Sequence, residues 1–220
     1  MFHNIYKIEY QQMNMKVFME QYHFDWQNCE MVKAAARFLC EITDIETWVM
    51  EKDGGVVCVA TLGKRYDEIA GIAADSGNLL LTYCMECLGM EFLSKGYEKI
   101  NQMVHENTGF WLSKYHFLGE EESALMMKQM LQSEKKEHMV SVEWKNGMLR
   151  PLKSVIFSAK YQNQKESEEC HNCSACENIT CSFRKIVEQK NKLYENVDNR
   201  KRSAKAYSYG VSAIFGGEKE

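Results

Sequence analysis

Apolar residues return every three or four positions in "NCEMVKAAARFLCEI" (28–42), which predicts a helix with Asn28 as N-cap and Val32, Ala35, Ala36 and Leu39 on one face. The next stretch, "TWVMEKDGGVVCVATLG" (47–63), has two β-rich runs around Asp53-Gly54-Gly55 and predicts a hairpin, because glycine tolerates the positive φ that a tight turn needs. "KRYDEIAGIAA" predicts a short helix that ends before the "DSGN" loop. From Leu79 to about Val104 a long helix is expected, with Leu80, Tyr83, Cys87 and Met90 on its apolar face. Another helix is expected over about 120–132, acidic in its first turn and approaching Lys135 and Lys136 at its end, as the helix dipole favours. "HMVSVEWKNGMLRPLKSVIFSAKY" predicts a further hairpin: Val140, Val142 and Trp144 alternate with polar residues, Asn146-Gly147 turns, and a second apolar run follows.

Helical and strand patterns are mixed without a regular βαβ period. The fold class read from the sequence is therefore α+β, with helices packed on a mainly antiparallel twisted sheet. A polar stretch, "QNQKESEE", leads into "CHNCSACENITC" (170–181), which divides the chain into a core at 1–165 and a small cysteine-rich, metal-binding appendage at 166–220.

Composition narrows the functional classes. The chain has 220 residues, a formal net charge of −4 and a single proline, a balance with no general attraction for nucleic acid. The most apolar window is interrupted by Asp75, Ser76 and Asn78 and carries Glu86 and Glu91, so no membrane span is expected. The start lacks the basic end and apolar run of a secretory signal, which points to a cytoplasmic protein whose thiols stay reduced. The basic run at 184–202, seven Lys or Arg against three acids, reads first as a solvated helix face and second as a docking surface for an acidic partner.

Nine cysteines are an odd number for a disulfide framework, and four of them, Cys170, Cys173, Cys176 and Cys181, fall within twelve residues. The spacing C-x2-C-x2-C-x4-C suits a compact iron–sulfur cluster of the 4Fe-4S kind; zinc also accepts four thiolates, and free or redox-active thiols remain a third reading. Cys84 and Cys87 share a helix face and read as buried small hydrophobes rather than a redox pair. The six histidines show no metal-ligand spacing, and "TLG" (61–63) is too short for a nucleotide-binding fingerprint.

Three stretches, "VATLGKRYDEIAGIA" (59–73), "NLLLTYCMECLGMEFL" (78–93) and "GMLRPLKSVIFSAKY" (147–161), together with a cysteine cluster closed by Phe183 and Arg184, occur in an order that resembles the activation domain of vitamin B12-dependent methionine synthase, particularly its stand-alone relatives. The resemblance implies an accessory role in cobalamin-dependent methyl transfer. In that family S-adenosylmethionine (AdoMet) is bound beside the corrinoid, and one electron and one methyl group restore methylcobalamin. The resemblance places Glu91 at the family's helix glutamate, a carboxylate for the ligand's amino group or hydroxyls. It also aligns "FWLSKY" (110–115) with the family's Arg-x-x-x-Gly-Tyr: Tyr115 matches, Phe110 stands in place of arginine, and Lys114, a point charge, stands in place of glycine. The implied partners are a corrinoid-binding methyltransferase or methionine synthase subunit that carries the cobalamin, and an electron donor protein. The cysteine cluster would serve as a relay of low potential. The alternative is a metal-stabilised interaction scaffold that has the same fold without AdoMet chemistry.

Overall fold

The period-two runs pair as antiparallel strands and the period-four runs form helices. In the computed structural model the order is β1 (Phe2–Tyr6), α1 (Met15–Gln21), α2 (Cys29–Ile42), β2 (Ile45–Lys52), β3 (Gly55–Thr61), α3 (Gly63–Asp75), α4 (Leu79–Thr108), β4 (Trp111–Leu112), β5 (His116–Phe117), β6 (Glu143–Lys145), β7 (Met148–Arg150) and β8 (Ser154–Gln162). The described residues are 2–119, 122, 124–126, 129 and 142–165. They all fall in one compact unit, Met1–Glu177; a second unit, Asn178–Glu220, the boundary expected at 165/166 and the four clustered cysteines lie outside the described residues. Of the helix expected over 120–132, Glu122, 124–126 and Gln129 are helical among the described residues.

The sheet runs β1-β2-β3-β8-β4, with β5 also paired to β8, and every pairing is antiparallel. The class is α+β. Two-residue turns with positive φ set both hairpin reversals: Asp53 and Gly54 at 46° and 75°, Asn146 and Gly147 at 53° and 78°. This is the turn form whose twist matches paired strands. The run expected to be one hairpin over 138–161 is divided in two. β6 and β7 pair only with each other, and after the cis Arg150–Pro151 peptide the chain joins the main sheet as β8.

All seven residues of β3 are buried, because the sheet is covered on both faces. On one face, Trp48, Val57, Val59 and Ile156 pack with Val142, and Met50, Leu118, Met126 and Leu149 lie against them. The register puts Ile45, Val49, Cys58, Ala60 and Phe157 on the other, helical face.

α4 lies across that helical face and also packs on α2 and α3. Its buried row is Cys84, Leu88, Phe92, Gly96, Ile100 and Val104, a step of four residues. Steps of four advance about 40° around a helix, so the row winds. The winding lets the helix meet α3 near Gly89, the sheet near Gly96, and β4 through Asn101, whose side-chain oxygen accepts the Leu112 N–H at 2.9 Å. The expected face therefore needs correction: Cys87 is buried, but Leu80 and Tyr83 are 39% and 44% exposed, Tyr83 being covered only in part by Phe24, 5.4 Å away, and by the Tyr22 carbonyl, to which its hydroxyl donates at 3.2 Å.

α2 buries all four residues assigned to its inner face. Asn28 stands at its N-cap position without making the side-chain cap, since a short 3₁₀ turn at Trp26–Asn28 leads directly into the helix. Asn78 and Asn14 do cap their helices, accepting the Leu81 N–H at 3.0 Å and the Val17 N–H at 3.2 Å. Among the described residues, no helix is long and apolar enough to cross a membrane.

Candidate functional site

At the end of β3 the chain reverses into α3 through Thr61-Leu62-Gly63. The Thr61 hydroxyl lies 2.7 Å from that of Ser154 and accepts the Gly63 N–H at 3.1 Å. The Leu62 N–H donates to the Lys153 carbonyl at 3.0 Å. One turn into α3, Asp67 accepts the Leu152 N–H through Oδ2 and, at 3.4 Å, the Lys153 N–H through Oδ1. The carboxylate thus holds the loop before β8 by two consecutive amides.

The third partner is α4. Lys153 Nζ donates to Glu86 Oε2; the lysine side chain is only 15% exposed and the glutamate 55%. The buried Tyr66 hydroxyl donates to the Met85 carbonyl at 2.6 Å. Gly89 makes this approach possible: a Cβ there would overlap the Tyr66 ring and lie 3.2 Å from Lys153 Cε. Residues 61–67, 85–89 and 150–154 therefore meet at one junction.

A cleft of about 490 Å³ opens beside the junction, lined by Lys64, Glu68, Glu143, Lys145 and Arg150 as well as Asp67. Three cations and three carboxylates line it, a balance suited to a polar or zwitterionic group or to a charged partner surface. The junction itself is chemically quiet. The Thr61 and Ser154 hydroxyls bond each other, that of Tyr66 is tied to the Met85 carbonyl, and burial pushes the nearby thiols up, Cys84 to about 12 and Cys87 to about 11, so neither is a thiolate at neutral pH. Among the described residues, no group of three His, Cys, Asp or Glu side chains is placed to hold a metal ion.

The residues singled out in the sequence are separated. Glu91 is partly buried on α4, two positions past Gly89 and so about 200° around the helix from the junction. Tyr115 is a core residue, 4% exposed, with its ring against Tyr97, Phe117 and Phe157 and its hydroxyl donating to the Tyr97 carbonyl at 3.4 Å. Lys114 is exposed and lines a second cleft on the face of the sheet opposite α4. Phe110 is 42% exposed and stacks on Tyr161 at 5.5 Å. Cys170, Cys173, Cys176 and Cys181 lie outside the described residues.

Sequence reasoning missed Asp67, Glu86, Gly89 and Lys153 as a group. Each falls in a stretch that carries the resemblance, yet Thr61 and Ser154 are 93 positions apart, and no spacing rule connects such distances. No protein-family model and no curated protein matches this chain.

Proposed function

We propose that this chain is an accessory module for a corrinoid-dependent methyltransferase, taking part in the reductive return of an oxidised cobalamin to its methyl-carrying form. The supporting observation is the junction: the three separated stretches that resemble the methionine synthase activation domain converge on one hydrogen-bonded node. In this reading AdoMet supplies the methyl group when bound, with Glu91 toward its amino group or hydroxyls. Cys170, Cys173, Cys176 and Cys181 hold an iron–sulfur cluster of low potential, the corrinoid is carried by a partner chain, and the setting is cytosolic, where thiols remain reduced.

A specific observation favours a second reading, an interaction scaffold without AdoMet chemistry. Tyr115 commits its hydroxyl to the Tyr97 carbonyl, Phe110 stacks on Tyr161, and Lys114 stands on the opposite face of the sheet from α4, which carries Glu91. The three residues do not close on one ligand.

Titration with a cobalamin-bearing partner domain during stepwise reduction tests the accessory role; an unchanged cobalt spectrum and unchanged reducibility sink it. Saturable heat with AdoMet separates the two readings, because a scaffold gives none. Anaerobically purified protein is expected to be brown, and Cys173→Ser to lose most of its iron, since a hydroxyl replaces a thiolate poorly. Colourless protein holding one zinc would remove the relay and leave the scaffold.

A further inference from the structure

The face of the sheet away from α4 gathers positive charge around an apolar floor. Lys52 closes β2, Lys160 lies opposite Gly55 in β8, and Lys114 sits between β4 and β5, yet all three line one cleft of about 470 Å³. Its floor includes Val57, Leu118 and Met126. The volume falls within the range of about 300–1,000 Å³ usual for small-molecule sites.

The rim is pinned rather than loose. The Ser113 N–H donates to the Lys160 carbonyl at 2.8 Å, and the Ser113 hydroxyl accepts the Lys160 N–H at 3.0 Å, which fixes Lys114 and Lys160 on the same mouth. Lys52 Nζ is steered across the floor by neutral acceptors, Gln129 Oε1 at 3.1 Å and the Met126 sulfur at 3.4 Å. Among the described residues, no carboxylate forms an ion pair with any of the three lysines. Asp53 is the one carboxylate among the described lining residues, and His116 adds a ring to the wall, 3.9 Å from Glu122.

Among the described lining residues three lysines face a single carboxylate, Asp53, and like charges gathered in this way repel one another; in a chain of net charge −4 their gathering is not a by-product of a basic composition. We infer that this cleft binds a small organic anion: an apolar aryl or acyl body over Val57, Leu118 and Met126, with its carboxylate or phosphate monoester at the lysine rim. Charge-assisted hydrogen bonds from the lysines hold the head, and desolvation of the body supplies the rest. AdoMet is net cationic, its sulfonium and ammonium outweighing its one carboxylate, and so is the wrong match for such a rim; this site is separate from the reading proposed above and stands or falls without it.

Naphthyl phosphate and naphthoate are suitable probes, with naphthol and inorganic phosphate as controls, measured by isothermal titration calorimetry on the full chain at low and high ionic strength. The two naphthyl anions are expected to saturate a single site and to weaken with salt, and each control to bind at least about tenfold more weakly, having only half of the recognition. Lys114→Gln with Lys160→Gln should weaken naphthyl phosphate by roughly a hundredfold, about tenfold per lost charged contact. Lys64→Gln with Lys145→Gln, at the other cleft, should leave it unchanged. The inference is overturned by naphthol binding as tightly as the anions, by absence of saturable heat with any probe, or by equal loss in both double variants; thermal melts of all variants confirm that folding is intact.

Discussion

Two glycines on neighbouring helices have opposite tolerances. Gly89 lies against the buried Tyr66 ring, whose hydroxyl is tied to the Met85 carbonyl, so a methyl group must displace a side chain that has nowhere to go. Gly89→Ala is expected to lower stability by about 1–3 kcal/mol. Gly71, exposed inside α3, has no heavy atom within 4 Å of its would-be Cβ, and Gly71→Ala should raise stability by about 0.5–1 kcal/mol through helix propensity. Chemical denaturation of the two variants reads both signs; a neutral Gly89→Ala would mean that the junction is looser than described. The thiols give a second test at this scale. Cys40, Cys58, Cys84 and Cys87 are buried and Cys29 is partly exposed. Burial pushes Cys40 up to about 11 and Cys58 well above its ordinary 9.0. Brief alkylation of the native protein at mildly alkaline pH, read by peptide mass spectrometry, should modify Cys29 and spare the other four. Rapid labelling of Cys84 or Cys87 would revive them as a redox pair.

α3 and the loop before β8 are held together by Asp67 more than by the ion pair next to it. Asp67→Ala leaves the Leu152 and Lys153 amides without their acceptor, a loss of about 1–2 kcal/mol. Glu86→Gln touches a pair whose acidic member is 55% exposed, and solvent screening limits the change to below about 1 kcal/mol. If denaturation ranked the two variants in the reverse order, Lys153–Glu86 would be the principal tie. The winding row on α4 belongs to the same scale. A helix touched by one partner carries a straight stripe, whereas α4 touches α3, then the sheet, then β4, so its buried positions turn with its partners.

For the molecule as a whole, the buried thiols set an alkaline limit. In the unfolded chain they ionise near 9.0, but in the folded chain Cys87 holds its proton to about 11 and Cys84 to about 12, both chiefly through burial. A raised folded pKa means that the contribution to stability is complete below pH 9.0 and is lost as pH climbs through the folded values. Stability should therefore fall from about pH 9 to about pH 12, by roughly 1.4 kcal/mol per pH unit for each thiol whose window is being crossed. Guanidinium unfolding under reducing conditions at a series of alkaline pH values measures the slope. Cys84→Ala with Cys87→Ala should make it shallower, with Cys40 and Cys58 keeping their share, and an unaltered slope would assign the alkaline limit elsewhere.

The sequence by itself determined the elements whose signals are local. Asp53-Gly54 and Asn146-Gly147 fix their turns because positive φ is a property of two adjacent residues, and Val32, Ala35, Ala36 and Leu39 mark the inner face of α2 because one set of partners covers it. The α+β class followed from counting such signals. The tertiary structure alone decided the rest. The second apolar run of the late hairpin left its neighbour for β3, because a strand pairs with whichever edge buries it best, and sequence adjacency does not set that edge. Leu80 and Tyr83 stayed exposed because coverage depends on where α2 and α3 end up. Asp67, Glu86 and Lys153 at one node, and Lys52, Lys114 and Lys160 on one rim, are each joined across stretches with no periodicity between them. Charge gathered from separate strands becomes a site only when the sheet register sets those strands side by side.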